Sequence, residues 1–266
     1  MTTDHALVAH SASVAYGDRL VVDDVELAVP PGRISVIVGA NASGKSTLLK
    51  TLARLITPKS GSVLLDGMDV HRIPSRRLAQ VLGLLPQNPL APDGIVVSEL
   101  VGRGRYPHQS LLRRWSAGDD AAVASALALT GATELADRAL DELSGGQRQR
   151  VWIAMALAQQ TEVLLLDEPT TFLDVTHQVE VLDLLTDLNR ERGTTIVVVL
   201  HDLNLAARYA DHLFALREGR LVASGHPRDV VTEQLVHEVF GLASRVIDDP
   251  TSGAPLVLPI GRHHVR

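Results

Sequence analysis

The sequence predicts an α/β fold with a mostly parallel central sheet, an antiparallel β edge and an inserted helical sublobe. Three observations lead to this prediction. Several apolar runs of Val, Ile and Leu are bounded by Gly, Pro or Asp, which is typical of strands buried on both faces. Helical patterns lie between these runs, as in a parallel α/β arrangement. The segment from about Ala91 to Gln159 is rich in Ala and Leu and has no convincing strand pattern.

The individual elements follow in chain order. Leu7–Tyr16 and residues 21–29, joined by Gly17-Asp18, predict a hairpin that forms the antiparallel edge. Further strands are expected at residues 34–38, 62–65, 81–85, 163–166, 195–200, 212–217 and 220–224. Helices are expected at residues 45–55, 119–130, 145–159, 175–189 and 202–209.

We interpret the whole chain, residues 1–266, as a single domain. A catalytic α/β core is expected over residues 1–90 and 160–243, with the helical sublobe at 91–159 and a hinge region at 78–89. The remaining residues, 244–266, form a C-terminal tail that we expect to be loosely packed on the surface, because it includes Pro250, Gly253, Pro255 and Pro259.

Composition restricts the class of protein. The chain has 45% hydrophobic, 21% charged and only 3% aromatic residues, which predicts a folded core of aliphatic side chains. A net charge of −6 argues against nucleic acid as a partner, and the absence of Cys excludes disulfides and thiolate metal sites. No stretch reaches the roughly 18 apolar residues of a membrane span, and the first residues lack a secretory signal layout. Any membrane role is therefore expected to come through a partner.

A glycine-rich loop lies between the apolar run at 34–38 and a helical pattern. It satisfies the G-x-x-x-x-G-K-[ST] pattern in that setting, with the residues Gly39, Ala40, Asn41, Ala42, Ser43, Gly44, Lys45, Ser46 and Thr47. Its backbone N–H groups can bind phosphate, Lys45 would bridge the β- and γ-phosphates, and Ser46 would ligate Mg²⁺. The alternative is a glycine turn with a chance lysine. Many such loops have glycine where this one has Ala42, and a positive φ there would cost about 1 kcal/mol.

Two adjacent carboxylates, Asp167 and Glu168, end the apolar run at 163–166 and precede Pro169. Asp167 would hold Mg²⁺ through its waters. Glu168 is placed to polarise the attacking water as general base. The alternative is a strand-end turn, for which Asp-Glu-Pro is also suitable.

A serine-glycine turn opens the helix predicted at 145–159. Its residues are Leu143, Ser144, Gly145, Gly146 and Gln147. The simple interpretation is a helix N-cap. A serine hydroxyl and exposed glycine amides at a helix N-terminus also form an anion site. Because the turn is remote in sequence from Lys45, it need not close on the nucleotide of its own copy.

Together these segments resemble the nucleotide-binding subunit of an ATP-binding-cassette (ABC) transporter, over nearly the whole chain. Six motifs occur in family order: the Walker A loop at 39–47, the Q-loop Gln87, the signature at 143–147, Walker B at 163–168, the D-loop Phe172-Leu173-Asp174 and the switch histidine His201. The resemblance implies the ABC ATPase fold, which is a P-loop NTPase core with a helical signature subdomain. It also implies ATP and Mg²⁺ as ligands, and a head-to-tail homodimer that encloses two ATP between Walker A loops and opposite signatures.

The resemblance also implies roles for single residues. Tyr16 would stack on adenine, with a core position as the alternative. Gln87 would touch Mg²⁺ or the lytic water; without the resemblance it would be a surface turn residue. His201, at a strand end, would hydrogen-bond the γ-phosphate and orient Glu168. Asp174 would organise the dimer interface, or only cap the helix that follows.

Three further segments resemble the ferric-siderophore subgroup, which also contains haem and vitamin B12 importers. They are Gly104-Arg105-Tyr106-Pro107-His108, residues 167–174 and residues 255–262. The first is either a helix-terminating loop or part of the surface that receives a permease coupling helix. The resemblance thus implies an ATP-hydrolysing subunit of an importer, held by integral-membrane permease subunits at the cytoplasmic face of the plasma membrane. A substrate-binding protein would be an indirect partner.

Other interpretations remain open. A haem, vitamin B12, manganese, zinc or amino-acid importer would use the same ATPase. A translation-associated or DNA-repair cassette is the main alternative from another class, but such proteins usually carry two cassettes or long coiled-coil insertions. A P-loop kinase or GTPase would leave the turn at 143–147 without a role.

Overall fold

The computed structural model describes residues 5–109, 115–171 and 173–263. These residues form two compact units, which we call the flanking unit (Asp4–Arg72 with Thr195–Arg266) and the middle unit (Ile73–Thr194). In chain order the strands are β1 (Leu7–Tyr16), β2 (Arg19–Val29), β3 (Ile34–Gly39), β4 (Ser60–Leu65), β5 (Met68–Asp69), β6 (Leu82–Leu85), β7 (Val163–Asp167), β8 (Thr195–Val199), β9 (His212–Arg217), β10 (Arg220–Gly225), β11 (Ser244–Asp248) and β12 (Pro255–Pro259). The helices are α1 (Lys45–Leu52), α2 (Ser75–Val81), α3 (Val97–Arg103), α4 (Ala117–Leu129), α5 (Gly145–Ala158), α6 (Val175–Arg192), α7 (Leu203–Tyr209), α8 (Pro227–Val230) and α9 (Glu233–Phe240).

The flanking unit holds both kinds of predicted sheet. β1 and β2 form the expected antiparallel hairpin, and β4 and β5 extend that sheet in the order β2-β1-β4-β5. In the second sheet β3 pairs in parallel with both β8 and β9, and β10 is added antiparallel to β9. All residues of β3 and β8 are buried, as the continuous Val and Ile runs predict for strands covered on both faces.

The middle unit contains the parallel pair β6 and β7 and the predicted helical sublobe. Leu82 to Leu85 lie opposite Val163 to Leu166, so both strands end at the same edge. Among the described residues of 91–159 the structure has helices and turns and no strand, with one isolated β-bridge between Val96 and Ala139. Helix α5 buries Val151, Trp152 and Ile153 as part of the apolar core of this unit.

The C-terminal segment corrects the expectation of a loosely packed tail over residues 244–266. As far as it is described, it forms the antiparallel hairpin β11–β12, with Ser244, Asp249 and Val257 buried. Pro255 and Pro259 do not prevent this pairing because they stand at the two ends of β12, where a missing N–H is tolerated.

The sequence patterns did not single out four helices, α2, α3, α8 and α9, although α3 lies in the segment 91–159 that was expected to be helical. Each has eight residues or fewer, so its helical period is hard to recognise. Helices α1 and α7 are equally short but were predicted, the first after a glycine-rich loop and the second after a strand end. Residues 78–81, assigned to a hinge region and the start of a strand, are the end of α2. Helix α1 also ends earlier than predicted, since Arg54 has a φ of 64°.

A buried ion pair stabilises the C-terminal end of α5. The Arg105 guanidinium donates to Asp119 Oδ1 at 2.9 Å, and it also donates to the carbonyl of Ala158 at 2.7 Å and to Gln160 Oε1 at 2.9 Å. The Ser116 hydroxyl lowers the pKa of Asp119 most strongly, and Arg105 lowers it further. Because both members are almost fully buried, loss of either charge leaves the other without compensation.

The segment at 104–108 directly follows α3, with Gly104 as the C-cap of that helix, which agrees with a helix-terminating loop, one of its two expected roles. The His108 imidazole Nε2 lies 2.7 Å from the Gln159 carbonyl, so Arg105 and His108 both contact carbonyls at the end of α5. The positive charge of Arg105 stabilises this end of the helix. Tyr106 is 61% exposed, and it is the part of the segment available to a partner.

No helix within the described residues is both long enough and apolar enough to cross a bilayer.

We predict that Arg105→Met lowers the free energy of unfolding by about 3–5 kcal/mol, because it leaves Asp119 charged and buried. The matched control is Glu99→Gln, which removes the exposed i,i+4 pair between Glu99 and Arg103. Its expected cost is below about 0.5 kcal/mol. Urea unfolding of both variants measures the difference, and equally small losses would contradict the assigned importance of the buried pair.

Candidate active site

The predicted phosphate loop connects β3 to α1 in the flanking unit. Helix α1 begins at Lys45, and its N-cap is Gly44, which contributes no side-chain cap. The loop rests on the turn between β9 and β10, where the Gly219 N–H donates to the Ser43 carbonyl at 3.0 Å. The structure thus has the strand, loop and helix order that the motif requires.

Two glycines permit the close backbone packing of this loop. A Cβ on Gly39 would lie 2.3 Å from the Leu216 carbonyl oxygen, and one on Gly44 would lie 2.7 Å from that of Val21. Gly39 and Gly44 also have positive φ, at 156° and 98°. Any other residue would displace the loop, because these neighbours are backbone atoms.

The loop side chains suit a polyanion. The Lys45 ammonium is buried and donates to the carbonyls of Gly39 and Ala40, both at 2.9 Å. The buried Ser43 hydroxyl has no hydrogen-bond partner among the described residues. Ala42 has a φ of 62°, the positive φ considered from the sequence, for which a residue with a Cβ is expected to cost about 1 kcal/mol.

His201 and Tyr16 lie in the same unit as the loop. His201 directly follows the Leu200 that extends β8, and β8 is parallel to β3. The phosphate loop and His201 therefore leave the sheet at the same edge, where ligands bind in α/β folds. Tyr16 ends β1 and is 55% exposed, so it is not the core residue that was its alternative role.

In the middle unit the structure brings Gln87 and Glu168 together. Gln87 follows β6 and Glu168 follows β7, and the Gln87 Nε2 donates to Glu168 Oε2 at 2.5 Å. The Thr171 hydroxyl donates to the same oxygen at 3.2 Å. Thr171 was not predicted as a site residue, although it lies in the segment 167–174 that resembles the ferric-siderophore subgroup.

Glu168 has a φ of 54°, a conformation that costs a non-glycine residue on the order of 1 kcal/mol or more. It is nevertheless buried, and Asp167 before it, the last residue of β7, is 1% exposed. The turn after the strand therefore holds two adjacent carboxylates away from bulk water. Strained backbone of this kind often occurs at functional sites.

The serine-glycine turn caps α5 in the predicted manner. The Ser144 hydroxyl accepts from the Gln147 N–H at 3.3 Å, and the Gln147 side-chain oxygen accepts from the Ser144 N–H at 3.0 Å. Among the described residues, a Cβ on Gly145 would meet no atom within 4 Å, whereas one on Gly146 would meet Leu173 at 3.5 Å. The capping role is confirmed and leaves the anion-binding role compatible with it.

The first turns of α5 also contact the segment after Glu168. The Gln149 side chain donates to the Pro169 carbonyl at 2.8 Å. Sequence reasoning did not single out Gln149, because one glutamine in a helix gives no pattern. This contact connects the signature helix to the turn that carries the two carboxylates.

Asp174 is the N-cap of α6. Its carboxylate accepts from the His177 N–H at 2.9 Å and contacts the His177 ring Nδ1 at 2.7 Å. The hydrogen bond from the His177 backbone is the main cause of a lowered Asp174 pKa. The helix-cap alternative is confirmed. Phe172 of the predicted D-loop lies outside the described residues.

The oxygen ligands in these segments fit a hard cation. The Ser46 hydroxyl, the Gln87 amide oxygen and the Asp167 carboxylate are the types of donor that Mg²⁺ prefers. In the part of the chain that the structure describes, no cluster of three or more His, Asp or Glu side chains could hold a metal ion. That is compatible with Mg²⁺, which usually takes one or two carboxylates together with waters and substrate phosphates.

Comparison with known proteins decides the family. A family model described as ABC transporter matches residues 22–171, more than half of the chain. The chain belongs to the ABC transporter family. This ABC transporter chain is 52% identical over 257 residues to the probable siderophore transport system ATP-binding protein YusV of Bacillus subtilis, covering 97% of this chain and 94% of the relative. It is 53% identical over 250 residues to the ferric enterobactin transport ATP-binding protein FepC of Escherichia coli, covering 94% of this chain and 92% of the relative.

A solved structure supports the same assignment. The dimeric structure of MJ0796, a bacterial ABC transporter cassette, is 27% identical and has a TM-score of 0.75, covering 83% of this ABC transporter chain and 98% of the cassette. The fold class and the family that the sequence predicted are therefore confirmed.

Proposed function

We propose that this chain is the ATP-hydrolysing subunit of a membrane importer whose cargo is a ferric siderophore. The observation that carries the enzymatic part is Glu168, a buried carboxylate at the end of β7 whose Oε2 lies 2.5 Å from the Gln87 amide. The names of relatives at 52% and 53% identity support the cargo class. None of the residues described here contacts cargo in this proposal, because cargo passes through other subunits.

The phosphate loop supplies the binding step. In the structure the Lys45 ammonium donates hydrogen bonds to the carbonyls of Gly39 and Ala40, which are neutral acceptors. A triphosphate is a stronger acceptor, so Lys45 would turn to its β- and γ-phosphates while the N–H groups at the start of α1 bind the β-phosphate. Tyr16, exposed at the end of β1, would stack on the adenine ring.

Glu168 supplies the chemical step as general base. Its carboxylate would accept a proton from the water that attacks the γ-phosphate, and His201 would bond the γ-phosphate and orient Glu168. The Gln87 and Thr171 hydrogen bonds fix the carboxylate before the water arrives. Ser46, Asp167 and Gln87 would hold Mg²⁺, which neutralises charge on the phosphates when bound.

The signature turn completes the site in trans. In this proposal two copies pair head to tail, and each ATP lies between the phosphate loop of one copy and Ser144, Gly145, Gly146 and Gln147 of the other. Solved dimeric structures of a related cassette support pairing of two copies. Asp174, at the start of α6, would lie in the dimer interface.

The partners follow from the proposed transport role. Integral-membrane permease subunits would hold the chain at the cytoplasmic face of the plasma membrane, and a substrate-binding protein would deliver cargo to them. Closure of the dimer on ATP would act on the permease through the segment near Gln87 and the exposed Tyr106. We also propose that the chain is one domain over residues 1–266, with the helical sublobe at 91–159 inserted in the α/β core.

Glu168→Gln is expected to lower ATP turnover by about 10²- to 10⁴-fold, since the amide cannot accept the proton. ATP affinity is expected to be retained, because the phosphate loop is untouched. Turnover and equilibrium binding measure the two effects. The matched control is Glu134→Gln, an exposed carboxylate, which should hydrolyse ATP normally. Near-normal hydrolysis by Glu168→Gln would refute the assigned base.

Mixing two inactive variants tests the composite site. Ser144→Asp keeps a good N-cap on α5 but places negative charge against phosphate, and Lys45→Ala removes the loop cation. A mixed dimer of the two variants contains one intact site only if sites are shared between copies. We expect roughly a quarter of wild-type turnover for random pairing of a symmetric dimer.

The control for mixing is the double variant Lys45→Ala/Ser144→Asp combined with wild type. Its mixed dimers contain no intact site under the shared arrangement. If the two single variants failed to complement each other although they formed mixed dimers, the sites would belong to single chains.

The cargo is tested in cells. Deletion of the subunit is expected to abolish growth on one or a few ferric siderophores as the only iron source, and restoration of the chain should recover it. Normal growth on all ferric siderophores, with lost uptake of haem or vitamin B12, would assign one of the alternative cargoes.

A further inference from the structure

Helix α7 begins directly after His201. Its N-cap is Asp202, whose carboxylate accepts from the N–H groups of Asn204 at 2.8 Å and Leu205 at 2.9 Å. On the other side of His201, the Leu200 N–H donates to the Ile37 carbonyl at 3.3 Å. The histidine therefore lies between two anchors, the end of β8 and the first turn of α7.

Helix α7, the second of these two anchors, is expected to be only marginally stable by itself. Helix α7 has only seven residues, and the side chains it buries are those of Ala206 and Ala207. Two methyl groups supply little apolar burial, and a helix this short is marginal without tertiary support. Its position must depend on other contacts.

The hairpin β11–β12 supplies those contacts. The Asn204 side chain accepts from the Val257 N–H at 2.7 Å and donates to the Val257 carbonyl at 3.2 Å, so one amide pairs with both backbone groups of a β12 residue. One helical turn later, Arg208 donates to the buried Asp249 carboxylate at 2.6 Å. Residues four apart share a helix face, so the hairpin holds one face of α7 at two points.

The turn of the hairpin is itself ordered around Asp249. Its carboxylate accepts from the Ser252 hydroxyl at 2.6 Å and from the N–H and hydroxyl of Thr251 at 2.9 and 2.8 Å. These bonds, the one from Ser252 foremost, hold the Asp249 pKa well below its usual range. From α8, Arg228 donates to the Gly253 carbonyl at 2.7 Å.

We propose that the C-terminal hairpin is a positioning device for His201, acting through Asn204 and Arg208 on α7. The inference rests on the proposed function, in which His201 contacts the γ-phosphate. It assigns a task to the ending at 255–262, which otherwise served only as a mark of the subgroup. Asn204 and Arg208 are positioning residues because they act through another residue.

The test is Asn204→Leu in the full chain, which keeps the side-chain volume and removes both bonds to Val257. We expect ATP turnover to fall between about tenfold and a hundredfold, the range that follows from a misplaced catalytic group. The Kd for ADP, measured by calorimetry, should stay within about twofold because the phosphate loop is unchanged. The His201 ring resonances in the nucleotide-free subunit should shift, with His201→Gln used to assign them.

A double-mutant cycle separates positioning from general stability. If Asn204 acts through His201, Asn204→Leu should have little further effect on turnover in the His201→Gln background. Arg245→Ala is the matched control on the same hairpin, because Arg245 on β11 is exposed and pairs with Glu233 on α9 instead of contacting α7. It should leave turnover, ADP affinity and the His201 resonances unchanged.

Arg208→Met and Arg208→Lys repeat the test if Asn204→Leu does not fold. The Met variant should reproduce the turnover loss, and Lys should recover most of it by keeping the charge beside Asp249. Loss of ADP binding, additive losses with His201→Gln, or an unshifted His201 resonance would each overturn the inference. Wild type is measured in parallel: if it hydrolyses no ATP, the proposed function fails; if it does and the variants match it, only this inference fails.

Discussion

The close backbone approach behind the phosphate loop is the constraint on which the flanking unit depends. Gly39 and Gly44 lie against backbone carbonyls of Leu216 and Val21, so β2, β3 and the end of β9 meet at the start of α1 with no space for a side chain. Parallel pairing of β3 with β8 then puts His201 at the same sheet edge. A strained Ala42 is tolerated there because the surrounding strands fix the loop on both sides.

In the middle unit the main constraint is the position of α5, the helix that begins with the serine-glycine turn. Helix α5 is held at both ends: a reciprocal cap forms at Ser144 and Gln147, and Arg105 and His108 contact the last carbonyls. The bond from Gln149 to Pro169 joins its first turns to the carboxylate segment. These contacts fix both ends of α5 and connect its first turns to the turn that carries the two carboxylates.

These arrangements also bear on the rival interpretations. A kinase or GTPase needs the phosphate loop but has no use for a capped serine-glycine turn linked to the segment after Glu168. The membership in the ABC transporter family removes that alternative. Within the family, the translation and repair classes differ from transport subunits in what they act on, so the distinction depends on partners and not on the geometry of Glu168 and Gln87.

The sequence by itself determined the parallel strands, the phosphate loop, the two carboxylates and the cap at Ser144, because each depends on local pattern or on fixed spacing. It did not single out α2, α3, α8 and α9, whose helical period is hard to recognise at such short lengths, and it misjudged residues 244–263, because prolines at strand ends look like breakers when pairing is unknown. Only tertiary structure decided that Thr171 contacts Glu168, that Arg105 is buried and that Asn204 pairs with Val257. The physical reason is that the role of a polar side chain depends on which partner folding places beside it. The distance between two residues that are far apart in sequence cannot be read from the sequence.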